Sequence, residues 1–135
     1  WSPLFWQVLD GKKKIPFTMF EASSFVDGGD IYLVDKIELT GFELNKELRK
    51  KQAEKIIAMC INFVSHYEVF KNPIKQSGEE SYNAKRTPND SRLDIDRSIK
   101  EQFNLLRVVD NEEYPAFFEI NGHKYLLKIE NFYTE

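Results

Sequence analysis

The stretch IPFTMFEASSFVDGGDIYLVDKIEL, residues 15–39, decides how the rest of the chain is read. Ile15, Phe17, Met19 and Ala22 fall near alternate positions with the β-branched Thr18 among them, which predicts a strand over residues 15–22. Ile31, Leu33, Ile37 and Leu39 alternate again and predict a second strand, with a slip at Val34-Asp35 where a bulge would fit. Between them lies Phe25-Val26-Asp27-Gly28-Gly29-Asp30, whose paired glycines permit close backbone approach and positive φ. Asp27 and Asp30 are placed either for acid-base work or for capping the turn.

Working outward, Thr40-Gly41-Phe42-Glu43 has the capping-box spacing and predicts a helix over about residues 43–66. Leu44, Leu48, Ala53, Ile56, Ile57, Cys60, Ile61 and Val64 recur at helical intervals, so this face is expected to pack on a sheet. Met59 and Cys60 fall in its apolar half and are expected in the core. Upstream, Pro3 suits a first helical turn, and a short helix should end at Asp10-Gly11. Lys12-Lys13-Lys14 follows as a solvated loop or a phosphate contact. Downstream, residues 71–92 form a long polar loop or linker with little periodicity. Asp94-Ile95-Asp96 and the Ser98/Glu101 pair offer starts for a last helix running to about Val109, with Ile99, Phe103, Leu106 and Val109 on one face. Asn121-Gly122, set between Ala116-Phe-Phe-Glu-Ile120 and Lys124-Tyr-Leu-Leu-Lys-Ile129, predicts a β-hairpin. The expected organisation is residues 1–70, a linker over 71–92, and a helix-plus-hairpin unit over 93–135. The order of elements reads as an α/β pattern without its beginning.

A chain of 135 residues with 41% hydrophobic and 30% charged residues supports a packed core and excludes a disordered or collagenous polymer. Its net charge of -3 argues against an overall basic field for nucleic acid. The longest apolar run, residues 56–64 with Asn62 inside it, falls well short of the ~20 residues needed to span a bilayer. One cysteine leaves no internal disulfide, and no charged-then-apolar leader opens the chain, so a cytoplasmic protein is expected. Trp1 stands where an initiator methionine would, which suggests an upstream segment. His66 and His123 share no metal-ligand spacing with Cys60, and neither glycine stretch has a phosphate-loop or dinucleotide spacing. No metal is expected.

Three segments together resemble the formyltransferases that use 10-formyltetrahydrofolate, which act on methionyl-tRNA or on nucleotide-linked amino sugars. The first is Trp1-Ser-Pro-Leu-Phe-Trp-Gln-Val-Leu-Asp-Gly11 running into Ile15-Pro-Phe-Thr-Met-Phe20. The second, Val26-Asp27-Gly28-Gly29-Asp30-Ile31, resembles the family's Asp-x-Gly-x-Ile loop. The third, Tyr82-Asn-Ala-Lys-Arg86-Thr87-Pro88-Asn89-Asp90, resembles its Arg-Thr-Pro-x-Asp segment. The resemblance implies the carboxy-terminal half of a Rossmann-like sheet followed by a helix and a β-hairpin. Without the amino-terminal half of that sheet, the strand over residues 15–22 would lack a neighbour.

The same resemblance assigns Asp27 to a catalytic Asn, His, Asp set whose asparagine and histidine would lie in an Asn-x-His stretch upstream of Trp1. It implies 10-formyltetrahydrofolate as formyl donor, bound partly by the backbone of Phe25 and Val26 beside Asp27, although those apolar residues could equally be core. Tyr82 and Arg86 would contact the acceptor or serve as a structural tie. The implied acceptor is a nucleotide-linked amino sugar, with methionyl-tRNA the alternative that the acidic balance disfavours. A noncatalytic interaction module is the other alternative. In it the aromatic hairpin bearing Phe117, Phe118, Tyr125 and Leu127 associates with another chain, a second copy included.

Overall fold

The computed structural model describes residues 2–24, 27–78 and 82–132, and the chain divides into two units that interleave in sequence. Residues 1–13, 40–48 and 82–135 build one; residues 14–39 and 49–81 build the other. The first opens with helix α1 (Pro3–Leu9), where Pro3 sits in the opening turn and lacks only an N–H that would go unpaired there. The helix closes with Gly11 at φ 75: the Gly11 N–H donates to Val8 O at 2.9 Å and the Lys12 N–H to Gln7 O at 3.0 Å. That double closure satisfies two terminal carbonyls and needs the left-handed conformation that glycine adopts without strain.

Later in the same unit come helix α4 (Phe103–Val108) and strands β3 (Ala116–Ile120) and β4 (His123–Leu127). Leu106, Val109 and Ala116 are buried at the centre of this core, with Leu93, Phe103, Leu105, Leu127 and Ile129 packed around them. Ile120 pairs with His123, so the hairpin turn is Asn121-Gly122 alone, and both have positive φ, 49 and 79. This is the mirror-image turn that matches strand twist, and the Asn-Gly expectation is met. Phe118 stacks on its cross-strand partner Tyr125 at 5.5 Å.

The expected last helix is shorter than its sequence signals suggest. Ser98 and Glu101 do pair as a capping box, Ser98 Oγ donating to Glu101 Oε2 at 2.8 Å, but α4 begins only at Phe103. The intervening residues are held as turns by Gln102, whose Oε1 accepts from the Asp94 N–H at 2.7 Å and whose Nε2 donates to Asp94 O at 2.9 Å. A side chain that satisfies the backbone locally competes with helix.

Glu43 and Arg107 form a buried pair within this unit, only 6% and 3% exposed. Arg107 Nη2 donates to Glu43 Oε2 at 3.3 Å, its Nε to Glu43 O at 3.1 Å and its Nη1 to Asn104 Oδ1 at 3.0 Å. Glu43 also accepts from the N–H groups of Thr40 at 2.8 Å and Gly41 at 3.1 Å. The Thr40/Glu43 pairing is therefore real, but it closes a turn two residues before helix α2 (Asn45–Ser65), whose own start is closed by Glu47 accepting from the Leu44 N–H at 2.9 Å. Burial alone would raise the Glu43 pKa; the backbone donors outweigh it and hold the carboxyl down at about 2.

In the second unit, strands β1 (Lys14–Phe20) and β2 (Ile31–Glu38) pair antiparallel. The first strand thus has a neighbour along its length, correcting the expectation that it would lack one. Val34 and Asp35 stand in regular register with Thr18 and Phe17. The irregularity lies instead at Tyr32, left over between the pairs Met19 with Leu33 and Phe20 with Ile31. Lys55 of α2 donates to Asp35 at 2.7 Å. Helix α3 (Tyr67–Phe70) follows α2 and adds Tyr67 and Phe70 to an aromatic group around Phe63.

Met59 is buried as expected, but Cys60 is exposed. Most of the anticipated apolar face of α2 is exposed with it, Ile61 at 61% and Val64 at 75%. The inward line of the helix runs through Lys55, Met59 and Phe63, which are buried or half-buried, so the stripe through Ile56, Ile57, Cys60, Ile61 and Val64 is turned away from it.

A carboxyl held low in the folded state contributes stability above its ordinary pKa, and that contribution fades as pH falls toward the folded value. Urea unfolding should therefore show stability declining between about pH 4.5 and pH 2 as Glu43 is protonated. Glu43→Gln, which leaves Arg107 buried without its counter-charge, should cost about 3 kcal/mol at pH 7 and flatten that decline.

Candidate functional site

The loop between β1 and β2 is closed at its base by the Glu21 N–H, which donates to Asp30 O at 2.8 Å. Gly29 is buried against the same residue: a Cβ built on Gly29 would stand 1.7 Å from Glu21 O and 2.7 Å from its carbonyl carbon. No side chain fits there, which is the close backbone approach that the paired glycines permit. Asp27 has φ 55, a left-handed conformation that aspartate adopts more readily than most residues. Its side chain is exposed, and no hydrogen bond reaches its carboxylate from the described residues. Among the described residues, the loop is closed by main-chain groups and not by this carboxylate. Phe25 and Val26 lie outside the described residues.

The strand that leaves this loop is held on its other side. Ile31 and Ile74 exchange both backbone bonds, Ile31 N–H to Ile74 O at 2.7 Å and Ile74 N–H to Ile31 O at 2.9 Å. Tyr32 packs edge-on against Phe63 at 5.2 Å. Burial raises the Tyr32 pKa, and the nearby carboxylates of Glu21 and Asp30 add to the shift.

Tyr82 and Arg86 belong to the other unit. Tyr82 is 87% exposed. Arg86 Nη2 donates to Asp90 O at 2.9 Å, and burial lowers the guanidinium pKa while the Asp90 charge opposes the shift. Thr87 donates through both its N–H and its Oγ1 to Asp90 Oδ2, Pro88 opens the 3-10 turn Pro88–Ser91, and Trp6 Nε1 donates to Ala84 O at 2.9 Å. The Arg-Thr-Pro-x-Asp spacing therefore has a local cause: arginine, threonine and aspartate close one turn around proline. Among the described residues no group of three or more His, Cys, Asp or Glu could hold a metal, and no helix is long and apolar enough to cross a membrane.

The residues that sequence reading missed act mostly through the backbone. Glu21 and Ile74 set the loop with main-chain groups, which side-chain chemistry does not announce. The detectable signal was Gly29 itself. Gly29→Ala should open the base of the loop: faster amide exchange at Glu21 and a loss of about 1–3 kcal/mol in denaturant melts are expected.

A scan against protein-family models finds no match. Among curated proteins, the chain is 29% identical over 101 residues to methionyl-tRNA formyltransferase of Thermosipho melanesiensis, covering 75% of this chain and 33% of that protein. The chain thus spans about a third of the length of the curated relatives it matches. Among solved structures, methionyl-tRNA formyltransferase from Clostridium thermocellum superposes with a TM-score of 0.75 at 23% identity, over 98% of this chain and 57% of that one. A 4-N formyltransferase from Francisella tularensis gives 0.69 at 22% identity, over 99% and 57%. HypX from Aquifex aeolicus in complex with tetrahydrofolic acid gives 0.64 at 21%, over 93% and 22%. The chain is thus similar in sequence to part of the methionyl-tRNA formyltransferases and shares its fold with formyltransferases of known structure.

Proposed function

We propose that this chain supplies the catalytic aspartate of a formyltransferase that moves a formyl group from 10-formyltetrahydrofolate to the amine of a nucleotide-linked amino sugar. The observation that carries the reading is Asp27: an open carboxylate on a turn that Gly29 and Glu21 fix from beneath. The amine nitrogen attacks the formyl carbon, the bond from that carbon to N10 of the folate breaks, and the proton leaving the amine ends on the departing nitrogen. Asp27 holds and polarises a histidinium or passes the proton through water. The histidine, with an asparagine, stabilises the oxyanion between the two steps. Both come from polypeptide outside these residues, and the exposed apolar stripe of α2 is a surface against which such polypeptide packs.

Phe25 and Val26 lend backbone to the folate site in this reading, and Tyr82 with Arg86 faces the acceptor. The net charge of -3 supports a small acceptor over the phosphate backbone of tRNA. The methionyl-tRNA formyltransferases among the curated relatives favour the second reading, in which the acceptor amine is that of methionyl-tRNA. A cytoplasmic setting fits both. The hairpin, with Tyr125 50% and Leu126 68% exposed, is the surface proposed for self-association.

Two measurements on a polypeptide extended upstream of Trp1 test this. Asp27→Asn should reduce formyl transfer by roughly 10²- to 10⁴-fold without changing the melting temperature; unchanged turnover removes Asp27 from the mechanism. Against a panel of UDP- and dTDP-linked amino sugars and initiator methionyl-tRNA, formylation of a sugar supports the first reading and of tRNA alone the second. Formylation of neither supports a noncatalytic module.

A further inference from the structure

We infer that the segment around Ile74 and the ring of Tyr32 form a clamp that positions the Asp27 turn, an inference that rests on the reading of Asp27 as the reacting carboxylate. The turn enters β2 through Asp30, Ile31 and Tyr32, and each of the three is held differently. Asp30 O accepts from the Glu21 N–H at 2.8 Å on the β1 side. Ile31 exchanges two bonds with Ile74 on the opposite edge, at 2.7 and 2.9 Å. Tyr32 is the unpaired residue of the bulge, and its ring rests edge-on against Phe63, which is itself edge-on to Tyr67 at 5.7 Å and stacked on Phe70 at 6.4 Å.

A two-stranded ribbon has little stiffness of its own, and a bulge beside its loop interrupts the ladder and bends the strand. The Ile74 bridge supplies a third strand-like contact at the one rung where the ribbon meets the loop. Its side chain is 67% exposed, so it contributes through the main chain. The Tyr32 ring pins the bulge to the end of α2. Ile74 therefore touches the turn through its main chain, and the two contacts together fix where the carboxylate of Asp27 stands.

The test is amide hydrogen exchange, read by NMR on the 135-residue chain, with two pairs of variants. Ile74→Pro deletes the donor to Ile31 O, whereas Ile74→Ala keeps it; Tyr32→Ala deletes the ring, whereas Tyr32→Phe keeps it. Both deleting variants should speed exchange at Glu21, whose N–H closes the base of the loop on Asp30 O, by roughly tenfold or more, and both conservative variants should stay within about twofold of the parent. The Tyr32 pair decides the matter if Ile74→Pro does not fold. Exchange changes confined to Ile31 and Ile74, or equal loss in Ile74→Ala and Ile74→Pro, would overturn the clamp. Formyl transfer enters none of these readouts, so the clamp and the catalytic reading of Asp27 stand or fall separately.

Discussion

The main chain of Gly29 lies so close to the carbonyl of Glu21 that only a residue without a side chain fits, and the site depends on that contact. It brings the two ends of the loop together, lets the Glu21 N–H reach Asp30 O, and leaves Asp27 to complete the turn at φ 55 with its carboxylate exposed. A more flexible loop would let the aspartate bond to its own backbone, as short acidic side chains readily do. Here, among the described residues, main-chain groups close the geometry.

The other unit rests on a different constraint. Arg107 and Glu43 are almost fully buried, and such a pair holds only when the remaining donors and acceptors are satisfied. They are: the guanidinium also reaches Glu43 O and Asn104, and the carboxylate collects the Thr40 and Gly41 amides. Asn45 adds a bond from its Nδ2 to Val108 O at 2.8 Å. The turn before α2 is in this way fixed to α4 by polar contacts, beside a core made of Leu106, Val109 and Ala116.

Local chemistry was legible in the sequence wherever one residue type dictates one conformation. Pro3 and Gly11 bound the first helix, Asn121-Gly122 makes the hairpin turn, and the alternation through residues 15–39 places both strands. What failed to show was whatever depends on distant groups. The capping signals at Thr40 and Ser98 formed, but each closed a turn before its helix because Arg107 and Gln102 captured the nearby backbone. The bulge fell at Tyr32 instead of Val34-Asp35, where aromatic packing on Phe63 decides it. Cys60 shares an apolar stripe that periodicity reads as core, yet periodicity alone does not say which face finds a partner. The glycine that closes the loop stands out in the sequence; Glu21 and Ile74 do not, because they act through backbone atoms that every residue carries.

The proposed formyl transfer needs more than one aspartate, because the oxyanion that would form requires donors that a carboxylate lacks. The central claim is therefore that Asp27 works beside an asparagine and a histidine encoded upstream of Trp1. The intact mass of the native polypeptide, compared with the translated reading frame, tests it most directly. The account predicts a mass larger than that of these 135 residues, with an Asn-x-His stretch in the added length. A native product of 135 residues alone, or a longer one without that stretch, would contradict it.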